Sequence, residues 1–193
     1  MKILIDNGHG KNTPGKCSPD GRLKEWKYNR EIAVAVYERL KALGYDTELI
    51  VREETDISLT ERCRRVNQWC SKVGTSNCIF VSVHVNAAGH GTWLNATGWS
   101  GWVGPNASNK SKQMARIFYE EAEKRGLKGN RSVPPGKYWV GNFTVLTKTK
   151  CPAVLTENLF QDNRDEVNYL LSDEGRKTIV DLHVEAIKRI IAE

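Results

Sequence analysis

Residues 78–85 read CIFVSVHV. Only Ser82 and His84 interrupt an otherwise apolar, β-branched run, the pattern of a strand buried on both faces. Such strands belong mainly to parallel sheets covered by helices, so this octet predicts an α/β protein.

The flanks agree with that reading. Residues 2–6, KILID, form a second short apolar strand, and a helix is expected from Glu25 to Leu43, with Ile32, Val36, Leu40 and Leu43 on one face and Gly44 as its stop. Residues 45–51, YDTELIV, alternate as a strand does, and Ser58 with Glu61 makes a capping box for a helix reaching about Lys72. Beyond Asn86 lies a Gly- and Trp-rich loop to about Ser108, then an amphipathic helix carrying Met114, Ile117 and Phe118 to near Gly126. An irregular stretch, 128–142, leads to expected strands at 143–146 (FTVL) and 152–157 (PAVLTE). A helix from Ser172 closes the chain, with Ile179, Leu182, Ala186, Ile187 and Ile190 on one side. Strands alternating with helices give a largely parallel sheet covered on both faces. No repeat or low-complexity linker divides the 193 residues, so one domain is expected.

Twenty-nine Lys and Arg against 23 Asp and Glu leave a net charge of +6, which suits an anionic partner such as nucleic acid, a membrane surface or a cell-wall polymer, or simply solubility. No apolar run approaches the roughly 20 residues of a membrane span. The first strand begins almost at Met1, so no signal peptide is expected. The five cysteines include no C-x-x-C pair, which argues against a disulfide framework or a cysteine zinc site. Cys63 and Cys70, seven apart in a helical pattern, are expected to face a core.

Residues 10–16, GKNTPGK, approach a phosphate-binding loop, but Cys17 stands where a magnesium-binding hydroxyl is needed, and Pro19 and Gly21 would break the helix that should follow. A different constellation is stronger. His9 follows the first strand, Glu25 opens the first helix, His84 ends the buried strand and Glu157 ends PAVLT; ligands of open α/β sheets bind at the carboxyl ends of strands. Two imidazoles and one carboxylate make a three-ligand zinc set with a fourth position open to water, and another carboxylate nearby could take that water's proton. Of the other histidines, His90 lies in the Gly-rich loop and His183 is expected to be a partly buried helix residue.

Four pieces, in order, carry a resemblance: ILIDNGHG, KEWKYNREIA, VSVHVNA, and VLTKTKCPAVLTENLF followed by an acidic, helix-forming tail. Together they resemble the zinc-dependent N-acetylmuramoyl-L-alanine amidases of the amidase-3 type. The resemblance implies a mixed, mostly parallel sheet of about six strands flanked by helices, with residues 1–193 as the catalytic domain. It further implies one zinc ion held by His9, Glu25 and His84, and Glu157 as the catalytic glutamate. The implied reaction cleaves the amide joining N-acetylmuramic acid to the L-alanine of the stem peptide, in peptidoglycan as substrate, with no nucleic-acid partner, no membrane span and a monomeric protein. The implied place of action is the cell wall, reached by phage-lysin-like release, by another export route, or as a fragment of a longer protein.

The chain departs from that family in carrying Asn7 where Pro is usual, and in the tryptophans Trp93, Trp99 and Trp102. At least one of these is expected to stack on sugar rings or cover a cleft, Trp99 and Trp102 foremost; the alternative is packing against the helix at 109–125. Asn86 and Arg131 are further candidates for holding the muramyl group or the peptide. Lys16 is expected to be a surface charge. A zinc carboxypeptidase or other amide hydrolase is the alternative enzyme, although no basic residue dedicated to a terminal carboxylate stands out. A non-enzymatic wall-binding module is the alternative outside enzymes.

Overall fold

A computed structural model describes residues 1–129 and 131–193; Asn130, inside the expected irregular stretch, lies outside the described residues. Six strands, β1 (Lys2–Asn7), β2 (Thr47–Leu49), β3 (Cys78–Asn86), β4 (Ser100–Val103), β5 (Trp139–Val140) and β6 (Ala153–Phe160), form one sheet in the order β2-β1-β3-β6-β4-β5. The first four in that order run parallel. β4 runs antiparallel to β6, and β5 parallel to β4. The sheet is therefore mixed and mostly parallel, as expected.

Helices cover both faces. Ile3, Ile5, Ile79, Val81, Val83 and Val154 point to a core shared with α1 (Glu25–Ala42), α3 (Asn109–Lys124), α5 (Arg164–Leu171) and α6 (Asp173–Ala192). The alternate residues Leu4, Phe80, Ala153 and Leu155 pack against α2 (Leu59–Val73) and the one-turn α4 (Thr144–Thr147). That period of two explains the CIFVSVHV run: apolar groups are required on both faces until the strand reaches its polar end. Cys63 and Cys70 face the α2 core, as their spacing predicted.

Helix ends follow the local chemistry. Leu43 caps α1 and Gly44 takes a φ of 84°, and Ser172 Oγ caps α6 by accepting from the Gly175 amide. Ser58 Oγ accepts from the Glu61 amide, but the Glu61 carboxylate turns to Arg64 and Arg65, so only half of the expected capping box forms.

Three expectations are corrected. The stretch 128–142 is not all irregular, because Trp139–Val140 pairs with Trp102–Val103 as β5. Residues 143–146 are not a strand: the Leu146 and Thr147 amides both bond back to the Phe143 carbonyl, winding FTVL into α4, which seals the second core with Val145 and Leu146. The Gly- and Trp-rich segment is not all loop, because Ser100–Val103 joins the sheet as β4.

Candidate metal centre

The carboxyl ends of β1, β3 and β6 converge with the N-terminus of α1. His84 and Glu157 are direct neighbours across β3 and β6, and so share a face. After that pair β6 carries an extra residue, since Asn86 next meets Phe160. This bulge places Leu159 at φ 65° and frees the Asn158 amide to donate to the His84 carbonyl at 2.8 Å while accepting from the Trp99 indole at 2.8 Å. Glu166 clamps the same turn by accepting from the Phe160 and Gly98 amides, each at 2.7 Å.

His9 itself adopts φ 65°, a conformation that L residues other than Asn, Asp and His seldom take. Its glycine neighbours serve close approach instead. A Cβ on Gly8 would lie 2.0 Å from the His84 ring, and one on Gly10 would lie 2.1 Å from the Asp56 backbone nitrogen. The bent segment is gripped by Arg62, a fully buried guanidinium on α2. It bonds to the Asp6 carboxylate (2.6 Å) and to the carbonyls of Asn7 (2.7 Å), His9 (3.2 Å) and Ile57 (2.7 Å), with Asp56 at 3.1 Å.

His9, Glu25 and His84 come together with their ligand atoms within 4.8 Å of one another. Glu25 Oε1 is 3.4 Å from His9 Nε2 and 3.3 Å from His84 Nδ1. Those separations are long for charge-assisted hydrogen bonds. They match the edge of a tetrahedron with bonds of about 2.1 Å, which is about 3.4 Å, so the donor set fits zinc in both chemistry and size. The same Glu25 oxygen accepts from the Val85 amide at 3.2 Å, which fixes the carboxylate's direction. Behind His84, Nε2 sits 3.2 Å from Ser82 Oγ, which donates to Asp6 Oδ2 at 2.7 Å, and Asp6 is paired with Arg62. Ser82 therefore accepts from Nε2–H, and Nδ1 keeps its lone pair for a metal.

Glu157 stands beside this set, half-buried, with Oε2 inaccessible and, among the described residues, without a hydrogen-bond partner. Burial pushes its carboxyl well above the usual range, and the Glu25 charge pushes the same way, while Lys16 and Arg131 oppose both. Burial would raise Glu25 too, but the His84 and His9 rings beside it outweigh that and hold the carboxyl below its ordinary value.

The cleft above the pair encloses about 490 Å³ and is lined by His9, Lys16, Glu25, His84, Asn86, Phe143 and Glu157, among others. Asn86 is on the cleft wall. Arg131 lies over the rings of Trp139 (5.8 Å) and Phe160 (5.2 Å), near enough for its charge to act on Glu157. Trp99 is a correction: it is 1 % exposed, packed between Phe118 and Tyr119 under α3, and cannot meet a ligand. Trp102, on the opposite face, lies against Trp139 and Phe143, the latter a cleft wall. His183 is fully buried, bonded to Thr156 and the Ile179 carbonyl, more enclosed than its pattern suggested. Lys16, expected to be a surface charge, lines the cleft instead, and Phe143, Asp56 and Arg62 are further cleft residues that sequence reasoning missed. The GKNTPGK segment leads into no phosphate-binding helix, because Cys17 pairs with Lys24 in an antiparallel bridge.

The family described as N-acetylmuramoyl-L-alanine amidase (Amidase_3) matches residues 3–189. The chain belongs to that amidase family. It is 27% identical over 198 residues to the endolysin of Bacillus phage SPP1, covering 98% of this chain and 65% of that protein. With the N-acetylmuramoyl-L-alanine amidase CwlM of Bacillus licheniformis it shares 29% over 197 residues, covering 98% and 68%. The amidase fold recurs in the N-acetylmuramoyl-L-alanine amidase of Clostridium difficile 630, with a TM-score of 0.81 at 24% identity over 100% of this chain and 97% of that one. It recurs in the catalytic domain of CwlV from Bacillus (Paenibacillus) polymyxa, with a TM-score of 0.81 at 23% identity, covering 100% and 98%. Among the described residues, no helix of this amidase-family chain is long and apolar enough to cross a membrane.

Proposed function

We propose that residues 1–193 are a zinc-dependent N-acetylmuramoyl-L-alanine amidase catalytic domain acting on the peptidoglycan of the cell wall. The observation that carries this reading is the pairing of Glu157 with His84 beside the His9–Glu25–His84 set. One zinc ion fits that set, and when bound it polarises the amide carbonyl and lowers the pKa of a water towards about 7. His9, Glu25 and His84 would hold the ion, with Ser82, Asp6 and Arg62 fixing the His84 ring.

Glu157 does the proton work. Its carboxylate accepts the proton of the attacking water, and its raised proton affinity keeps that proton available for the alanine nitrogen as the C–N bond breaks. Asn86 and Phe143, which line the cleft, would orient the muramyl and peptide groups, with Trp102 acting through Phe143 and Arg131 through its charge near Glu157.

The test is metal content together with one substitution. Wild-type protein should bind one equivalent of zinc and release new N-terminal alanine from peptidoglycan. Glu157→Gln should keep the zinc and lose about 10²–10⁴ in rate. Equal loss of metal and activity would place Glu157 among the ligands and overturn its assignment as the base.

Lys16 supports a second reading. A cation beside the catalytic carboxyl is what a zinc carboxypeptidase needs for a terminal carboxylate. Release of a free C-terminal amino acid from the stem peptide, in place of new N-terminal alanine, would select it.

A further inference from the structure

The cleft contains a cation that the proposed chemistry does not use. The Lys16 backbone is fixed to the ligand set, since its carbonyl accepts from the Glu25 amide at 2.9 Å and the next residue bridges to Lys24. Its side chain starts from this fixed point and lines the cleft with His9, Glu25, Asn86, Phe143 and Glu157. The charge is close enough to act on the Glu157 carboxyl. Apart from Glu157 itself, the carboxylates lining the cleft are already engaged: Asp6 by Arg62 and Ser82, Glu25 by the two imidazoles, Asp56 by Arg62 and Thr13. Among the described residues, no carboxylate forms an ion pair with the Lys16 ammonium, whereas Lys2, Lys124, Lys137 and Lys188 each have one.

A half-buried lysine lining a cleft, with the cleft carboxylates other than Glu157 engaged elsewhere, is a receptor for an anion of the ligand. We propose that Lys16 is a specificity-determining residue whose ammonium receives a free carboxylate on the leaving stem peptide, one residue beyond the scissile amide. The inference rests on the amidase reading. Its geometry follows from that reading: Glu157 serves the alanine nitrogen, and a carboxylate on the following residue lies about 6 Å along an extended chain from that nitrogen. In peptidoglycan that position is a γ-linked D-glutamate, whose α-carboxylate is free in some walls and amidated in others. Lys16 then selects the free acid, because a neutral amide offers the ammonium no opposite charge.

The test compares zinc-loaded wild type, Lys16→Gln, Lys16→Arg and Lys16→Glu on two purified muropeptides that differ only in a free or amidated α-carboxyl on the second stem residue. Wild type should prefer the free acid by about tenfold in kcat/KM, with the difference in KM. Lys16→Gln should bring the ratio near one, Lys16→Arg should retain the preference, and Lys16→Glu should reverse it. An equal fall in kcat on both muropeptides would assign Lys16 to the reaction centre and overturn the proposal, as would a preference that survives Lys16→Gln. If wild type cleaves neither muropeptide, or removes only a terminal residue, the amidase reading fails first and the inference with it.

Discussion

Replacing Arg62 by Met removes the buried cation that ties Asp6, the Asn7, His9 and Ile57 carbonyls and Asp56 together. Methionine fills much of the volume but carries no donor. Asp6, 1 % exposed, is left a buried carboxylate bonded only through Ser82 and the sheet. Removing one partner of a buried ion pair costs about 3–5 kcal/mol, a large share of the 5–15 kcal/mol a domain has in all. At this size each kcal/mol moves the melting temperature by about 2–4 °C, so a fall of about 6–20 °C is expected by differential scanning calorimetry. The His9 turn and the Ser82–His84 contact loosen together, so zinc affinity should fall by about 10–100-fold in a competitive chelator titration. The double substitution Asp6→Leu, Arg62→Met separates the two effects. Removing both charges should restore much of the stability, but His84 still lacks its carboxylate-backed serine, so zinc affinity should stay low. Arg62→Met with wild-type melting and wild-type zinc affinity would refute the idea that this guanidinium positions the site.

Further outcomes follow from other residues. Gly8→Ala drives a methyl into the His84 ring, and should cut zinc affinity by at least about tenfold; unchanged metal content in the folded variant would contradict the packing. Trp99→Phe keeps the ring but orphans Asn158 Oδ1, which should cost about 1–3 kcal/mol in urea unfolding while leaving KM for muropeptides within about twofold; a selective rise in KM would restore Trp99 as a ligand contact. Burial lowers His183 from 6.5 to about 4, so the unfolded chain binds the proton more tightly and stability falls as pH drops through that window. Each pH unit there is worth about 1.4 kcal/mol, or about 3 kcal/mol in all. His183→Gln should flatten the curve between pH 6.5 and 4, and an unchanged slope would assign the acid sensitivity elsewhere.

The fold was legible where the physics is local and repetitive. The CIFVSVHV run needs apolar neighbours on both faces, and the two-fold alternation carries His84 to the same face as Glu157. The clustering of His9, Glu25 and His84 was legible because the carboxyl ends of strands are where such sheets gather ligand-binding residues. What the sequence concealed depends on contacts distant along the chain. FTVL has strand-forming residues, yet the Phe143 carbonyl collects two amides and the segment coils. Trp99 and Trp102 look alike in sequence, but Trp99 sits just before β4 and packs under α3, whereas Trp102 within β4 lies against Phe143. Gly8 and Gly10 invite an argument from backbone freedom, whereas His9 takes the left-handed conformation and the glycines make room for His84 and Asp56. Lys16 looks like a loop charge until the Cys17–Lys24 bridge turns its loop toward the cleft.

The most direct measurement is mass spectrometry of peptidoglycan digested by the zinc-loaded protein. The account predicts stem peptides that begin with a free L-alanine amine and glycan strands whose muramic acid carries a free lactyl carboxylate. Products cut at a glycosidic bond or only at a terminal D-alanine, or an undigested wall, would contradict it.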